Sequence, residues 1–77
     1  MEFKISDTVV LTSDLPTYGL RAGDLGAVVE IHEPDGLEVE FVTASGKTGA
    51  LITVRVTDVR GVAENDLVAV RPLDRTA

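Results

Sequence analysis

Apolar positions along the chain alternate with polar ones or gather in short β-branched runs, and no window carries an apolar stripe at helical spacing over three turns. Val and Thr dominate these runs, and their branched side chains suit the pleated, half-buried setting of a strand. Gly, Pro and Asp punctuate them at short intervals, as in a small barrel or sandwich. The pattern predicts a first strand over Asp7–Thr12, with Val9 and Leu11 on one face and Val10 on the other. A second, over Leu25–Glu33, turns Ala27, Val29 and Ile31 inward and Val28, Glu30 and His32 outward. A third, over Leu37–Thr43, turns Leu37, Val39 and Phe41 inward and Glu38, Glu40 and Val42 outward. Between these two, Pro34-Asp35-Gly36 is the strongest hairpin signal, with Pro pre-setting a turn angle and Gly accepting positive φ. A fourth strand, over Thr48–Val56, turns Ala50, Ile52 and Val54 inward.

The segments between and after these strands read differently. Ser13–Asp24 is too rich in Gly, Pro and Asp for a strand, yet its Leu15, Tyr18 and Leu20 predict a loop that folds back over the core. Gly26 marks a bulge or a close backbone approach. Thr57–Arg60 suits one 3-10 turn capped by Thr57 or Asp58. Gly61-Val62 can open a strand, Ala63–Asp66 reads as a turn, Leu67–Val70 as a further strand, and Pro72 ends regular pairing. Residues 72–77 are expected to be a flexible tail beyond a core spanning about 3–71. An open layer of short strands leaves two bare edges, so the expected fold is all-β, a small barrel of about five antiparallel strands closed round one core.

Composition narrows the function. The 77 residues hold 13 acidic and 7 basic side chains, a net charge of −6, with one His and no Cys. That length supports one domain. Without Cys there is no disulfide framework and no thiolate zinc site. No signal-peptide pattern and no apolar run of ~18 residues is present, so a soluble cytoplasmic protein without membrane association is expected. Residues 1–46 carry nine acids and two bases, and residues 47–77 carry four acids and five bases. Binding to phosphates draws on released counterions and needs Lys and Arg, so nucleic acid is disfavoured. An acidic side instead steers a basic partner.

Thr8-Val9-Val10-Leu11-Thr12, Asp14-Leu15-Pro16, Tyr18-Gly19-Leu20, Ala22-Gly23-Asp24 and Gly26-Ala27-Val28-Val29-Glu30 together resemble a family of short bacterial proteins classed as a domain of unknown function. Glu38-Val39-Glu40-Phe41, Ala50-Leu51-Ile52-Thr53 and Asp58-Val59-Arg60 extend the likeness over residues 3–60. The Gly-Asp-x-Gly-x-Val core is shared with SH3-like barrels and with the KOW element of ribosomal and transcription factors. The resemblance implies an SH3-like barrel with a long first loop, no catalytic residues, and an antitoxin- or immunity-type or accessory role. Past Arg60 the chain departs from the pattern, with Gly61 where a D-V-R-P-like ending is usual.

Candidate chemistry is sparse. His32 has no nucleophile pattern near it, so no enzyme is expected. Glu30 and His32 share a strand face, with Glu38 and Glu40 on the facing strand, but the spacing fits no metal loop, so neither metal nor cofactor is expected. Gly19–Gly26 precedes no helix that would hold a phosphate. A proline-rich ligand needs several exposed aromatics, and only Phe3, Tyr18 and Phe41 exist. A non-enzymatic protein-interaction module remains. Tyr18, Leu20 and Arg21 are the loop anchors, of the kinds that dominate binding energy or plug a barrel end. Glu30, Glu38 and Glu40 form the acidic docking face. Leu67–Val70 offers strand pairing to another chain, and Val28, Val42 and Leu51 an apolar strip for a homo-oligomer. The alternative is a KOW-type nucleic-acid or ribonucleoprotein accessory module.

Overall fold

Four strands form where the apolar runs predict them, and the curl of the sheet round one core decides which side chains face inward. The computed structural model describes residues 3–73. Its strands are β1 (Thr8–Leu11), β2 (Leu25–His32), β3 (Gly36–Val42), β4 (Thr48–Arg55) and β5 (Val59–Gly61), with 3-10 turns at Pro16–Tyr18 and Val56–Asp58. Every neighbouring pair is antiparallel, in one sheet of order β4-β3-β2-β1-β5. The fold is all-β and barrel-like, as the alternation requires. No helix of the described residues is long and apolar enough to cross a membrane.

The inner face gathers Val9, Leu11, Leu20, Val28, Leu37, Val39, Phe41, Ile52, Val54 and Val59 into one core. β3 and β4 present the predicted faces, with Ala50 half-buried against that core. In β1, Val10 is buried as well, although it lies outside the core cluster.

β2 overturns the expected facing. Val28 is buried in the core, while Val29 is exposed and Ala27 half-buried. The cause is a bulge: Val28 pairs with Val39 and Glu30 with Glu38, so Val29 is an extra residue on its strand. One extra residue swaps the parity of alternation, and beyond it Ile31 turns back against the core. The expected apolar strip therefore loses Val28, and Val29 shares the outer exposure with Val42 and Leu51. Gly26 marks the predicted close approach. A Cβ there would lie 2.5 Å from Val39 Cγ1 and 3.1 Å from the Glu40 carbonyl oxygen.

The β2–β3 connection differs in detail. Gly36 has no positive φ and opens β3, paired with His32 and Arg55, and the Glu33–Pro34 peptide is cis.

Larger corrections fall after residue 55. The 3-10 turn begins at Val56, and the Asp58 carboxylate accepts the Arg55 amide at 3.1 Å. The fifth strand is Val59–Gly61, because Leu11, Val10 and Val9 of β1 pair with Val59, Arg60 and Gly61. Ala63–Asp66 is a turn, closed by the Asp66 amide on the Ala63 carbonyl at 3.1 Å. Leu67–Val70 forms no strand, and Leu67 and Val70 are 95% and 97% exposed. Of the segment expected as a flexible tail, Leu73 packs against the core; residues 74–77 lie outside the described residues.

Candidate interaction surface

Antiparallel register brings the three glutamates onto one outer face. Glu30 lies opposite Glu38 in the ladder, and Glu40 lies between Ala27 and Leu51. Like charges facing each other across a ladder are unfavourable, and each carboxylate has its own local partner. Glu38 Oε1 is 3.2 Å from His32 Nε2. The Thr48 hydroxyl donates to Glu40 Oε2 at 2.5 Å. Glu30 Oε1 accepts the Ile31 amide at 3.2 Å. Exposed Val29, Val42 and Leu51 border these acids. Among the described residues, no group of three His, Asp or Glu side chains is placed to hold a metal ion.

The long loop puts its anchors to different uses. Mutual backbone hydrogen bonds between Leu15 and Leu20, at 2.9 and 3.1 Å, close the 3-10 turn at Pro16–Tyr18. That closure drives Leu20 into the core at 3% exposure, so it offers a partner no surface and plugs the barrel instead. Tyr18 stays outside, 47% exposed, and Arg21 is exposed. The loop acids are structural. Asp14 Oδ1 accepts the Ala22 amide and Asp24 Oδ2 the Arg21 amide, each at 2.8 Å.

A site that local sequence reading misses lies at this end of the barrel. Arg71 returns across the loop: its Nε donates to Asp24 Oδ1 at 2.8 Å, its Nη2 to Asp24 Oδ2, and the same Nη2 to the Gly19 carbonyl at 3.0 Å. Burial pushes the Asp24 carboxyl up, but the hydrogen bonds from Arg71 and the Arg21 amide, with both positive charges, outweigh it and hold it below 3.8. Two residues on, Leu73 sits over Gly49, where a Cβ would lie 2.8 Å from Leu73 Cδ2. Between tail and body runs a cleft of about 680 Å³, bordered by Leu20, Leu25, Phe41, Val42, Val70 and Leu73 among others. Asp24 and Arg71 are 47 residues apart, beyond the reach of local patterning. The one available signal is an isolated Arg-Pro-Leu after the last strand. Nearer the body, Arg60 pairs with Asp66 through two nitrogens, at 2.8 and 2.9 Å. With the Ala63 amide adding a hydrogen bond, this holds the Asp66 carboxyl at about 2.

Residues 5–60 match the family described as Domain of unknown function (DUF4926). Neither the curated proteins nor the solved structures gave a match.

Proposed function

The chain belongs to that family of unknown function, and on that premise we propose that it is a non-enzymatic protein-binding module. In this reading it is a bacterial, cytoplasmic SH3-like barrel of antitoxin, immunity or accessory type. The observation that carries it is the outer sheet face, where Glu30, Glu38 and Glu40 stand together beside exposed Val29 and Leu51. Acidic groups steer a basic surface into register, and apolar neighbours add contact area once water is expelled. Tyr18 and Arg21 supply further exposed anchors from the loop.

The order β4-β3-β2-β1-β5, with a long excursion between β1 and β2, supports the SH3-like assignment. Two of the seven basic residues, Arg60 and Arg71, are taken up by aspartates and lend the nucleic-acid alternative no support.

The test is affinity capture of the partner from the native cell, then affinity measurement over a salt series for the wild type and for E30K/E38K/E40K. The triple reversal should weaken binding at least tenfold and flatten its salt dependence. Unchanged affinity and salt slope would remove the acidic face from the mechanism. Steeply salt-sensitive binding to labelled RNA or DNA would favour the alternative.

A further inference from the structure

The cleft at the barrel end has walls from residues 20–49 and a roof from residues 69–73. The walls fall within the family match of 5–60 and the roof lies beyond it. The cover is held at two points. Arg71 grips the Asp24 carboxylate and the Gly19 carbonyl, and Leu73 fills the slot that Gly49 leaves open. Elsewhere it is loose. Leu67, Val68 and Val70 are 95%, 71% and 97% exposed, and among the described residues no backbone–backbone hydrogen bond ties residues 67–73 to the sheet. Lifted away, the cover would leave a carboxylate still oriented by the Arg21 amide at 2.8 Å, beside an apolar slot.

We propose that this groove is a binding site for an extended segment of a protein partner that carries Arg followed two residues later by Leu or a similar aliphatic side chain. The chain's own tail occupies it as a displaceable stand-in. The inference rests on the binding-module reading but uses a groove whose lining includes none of the three glutamates. Charge favours a foreign segment, because the body is acidic and attracts a cationic peptide, whereas a second copy carries the same −6 and is repelled. A second copy's tail would also repeat the two contacts already made in cis, where the effective concentration is on the order of millimolar, and would gain nothing. A partner segment that continues onto the body gains contacts that the tail lacks.

The experiment uses full-length protein and a capped, fluorescein-labelled peptide of residues 68–73, Val-Ala-Val-Arg-Pro-Leu, read by fluorescence polarisation. Arg71→Glu releases the tail from Asp24 and should bind the peptide at least tenfold more tightly than the wild type. Adding Asp24→Asn to that variant should reverse the gain at least tenfold, and a peptide with Glu in place of Arg should bind neither. Arg71→Ala serves as the second release variant, and urea midpoints establish that each protein is folded. In the wild type, saturating peptide should move the Leu73 methyl resonances to their positions in Arg71→Glu. Equal peptide affinity in wild type and both release variants overturns the proposal, as does equal binding of the Glu peptide. A micromolar wild-type dimer that dissociates in Asp24→Asn gives the groove to a second copy and overturns it too. Placing E30K/E38K/E40K in the Arg71→Glu background removes part of the long-range attraction but should keep the peptide's dependence on Asp24, still at least tenfold between Asp24 and Asp24→Asn, so failure of the acidic-face reading is distinguishable from failure here.

Discussion

Val9, Leu37 and Val39 in the body are 0% exposed, whereas Leu67 and Val70 in the tail are 95% and 97% exposed. Both stretches are rich in branched aliphatic residues, so composition does not separate them. Position in the ladder does. Each body strand has a hydrogen-bonded neighbour that carries its apolar face into a shared core. Burying such a side chain stabilises by roughly 1.5–3 kcal/mol. The tail has no strand partner and is fastened by Arg60–Asp66, Arg71–Asp24 and Leu73. Exposed ion pairs contribute roughly 0–1 kcal/mol, and hydrogen bonds to charged groups roughly 1.5–3 kcal/mol. With Arg60–Asp66 exposed and Arg71–Asp24 part-buried, the two pairs together amount to no more than about one or two core side chains. The body is therefore a cooperative unit, and the tail a strap that can open without unfolding it.

The largest effect expected from sharpening this contrast is in the core. Leu37→Ala removes a side chain at 0% exposure and should cost about 2–5 kcal/mol, read as a lower urea midpoint or outright unfolding. Gly26→Ala tests the close approach of β2 to β3. Its methyl would meet Val39 Cγ1 at 2.5 Å and should cost about 1–3 kcal/mol in the same assay.

Asp24→Asn should cost less, about 1 kcal/mol at pH 7, because it loosens a strap that the core does not need. The sign with pH follows from the direction of the shift. The folded carboxyl lies below its ordinary value, so the pair stabilises above about pH 4 and its contribution is lost as pH falls through the lowered folded value. The stability gap between wild type and Asp24→Asn should therefore be full at pH 7 and close in strong acid. The smallest effect belongs to Asp66→Asn. It should leave the urea midpoint nearly unchanged while speeding hydrogen exchange at the Ala63 amide, which Asp66 accepts at 2.7 Å. In the wild type that protection should persist to about pH 2, where the Asp66 carboxyl takes up its proton.

Legibility in the sequence divides along the same line. The β2–β3–β4 meander could be read because Leu37, Val39 and Phe41 alternate cleanly with Glu38, Glu40 and Val42. The inner face of β2 could not, because alternation carries no mark of where a bulge inserts, and Val29 is the inserted residue. β5 leaves little trace in the sequence because three residues make a weak local signal, and Val59–Gly61 is a strand through pairing with β1. Leu67–Val70 has strand composition but finds no neighbour, so propensity alone misleads there. Of the candidate site, the shared face of Glu30, Glu38 and Glu40 was legible from strand parity at β3 and from hairpin register. The Asp24–Arg71 grip was not, since it joins a loop to a tail across 47 residues.

Native-state hydrogen exchange on the full chain, comparing wild type with Asp24→Asn at pH 7, tests the separation of body and strap most directly. The ladder amides of β2, β3 and β4 should exchange only through global opening in both proteins, with rates differing by no more than the small loss in overall stability. The non-proline amides of residues 67–73 should exchange rapidly in both, and the Leu73 methyl resonances should move away from their core-packed positions in the variant. Tail amides as protected as those of Val39 and Ile52, or ladder protection that collapses in Asp24→Asn, would contradict it.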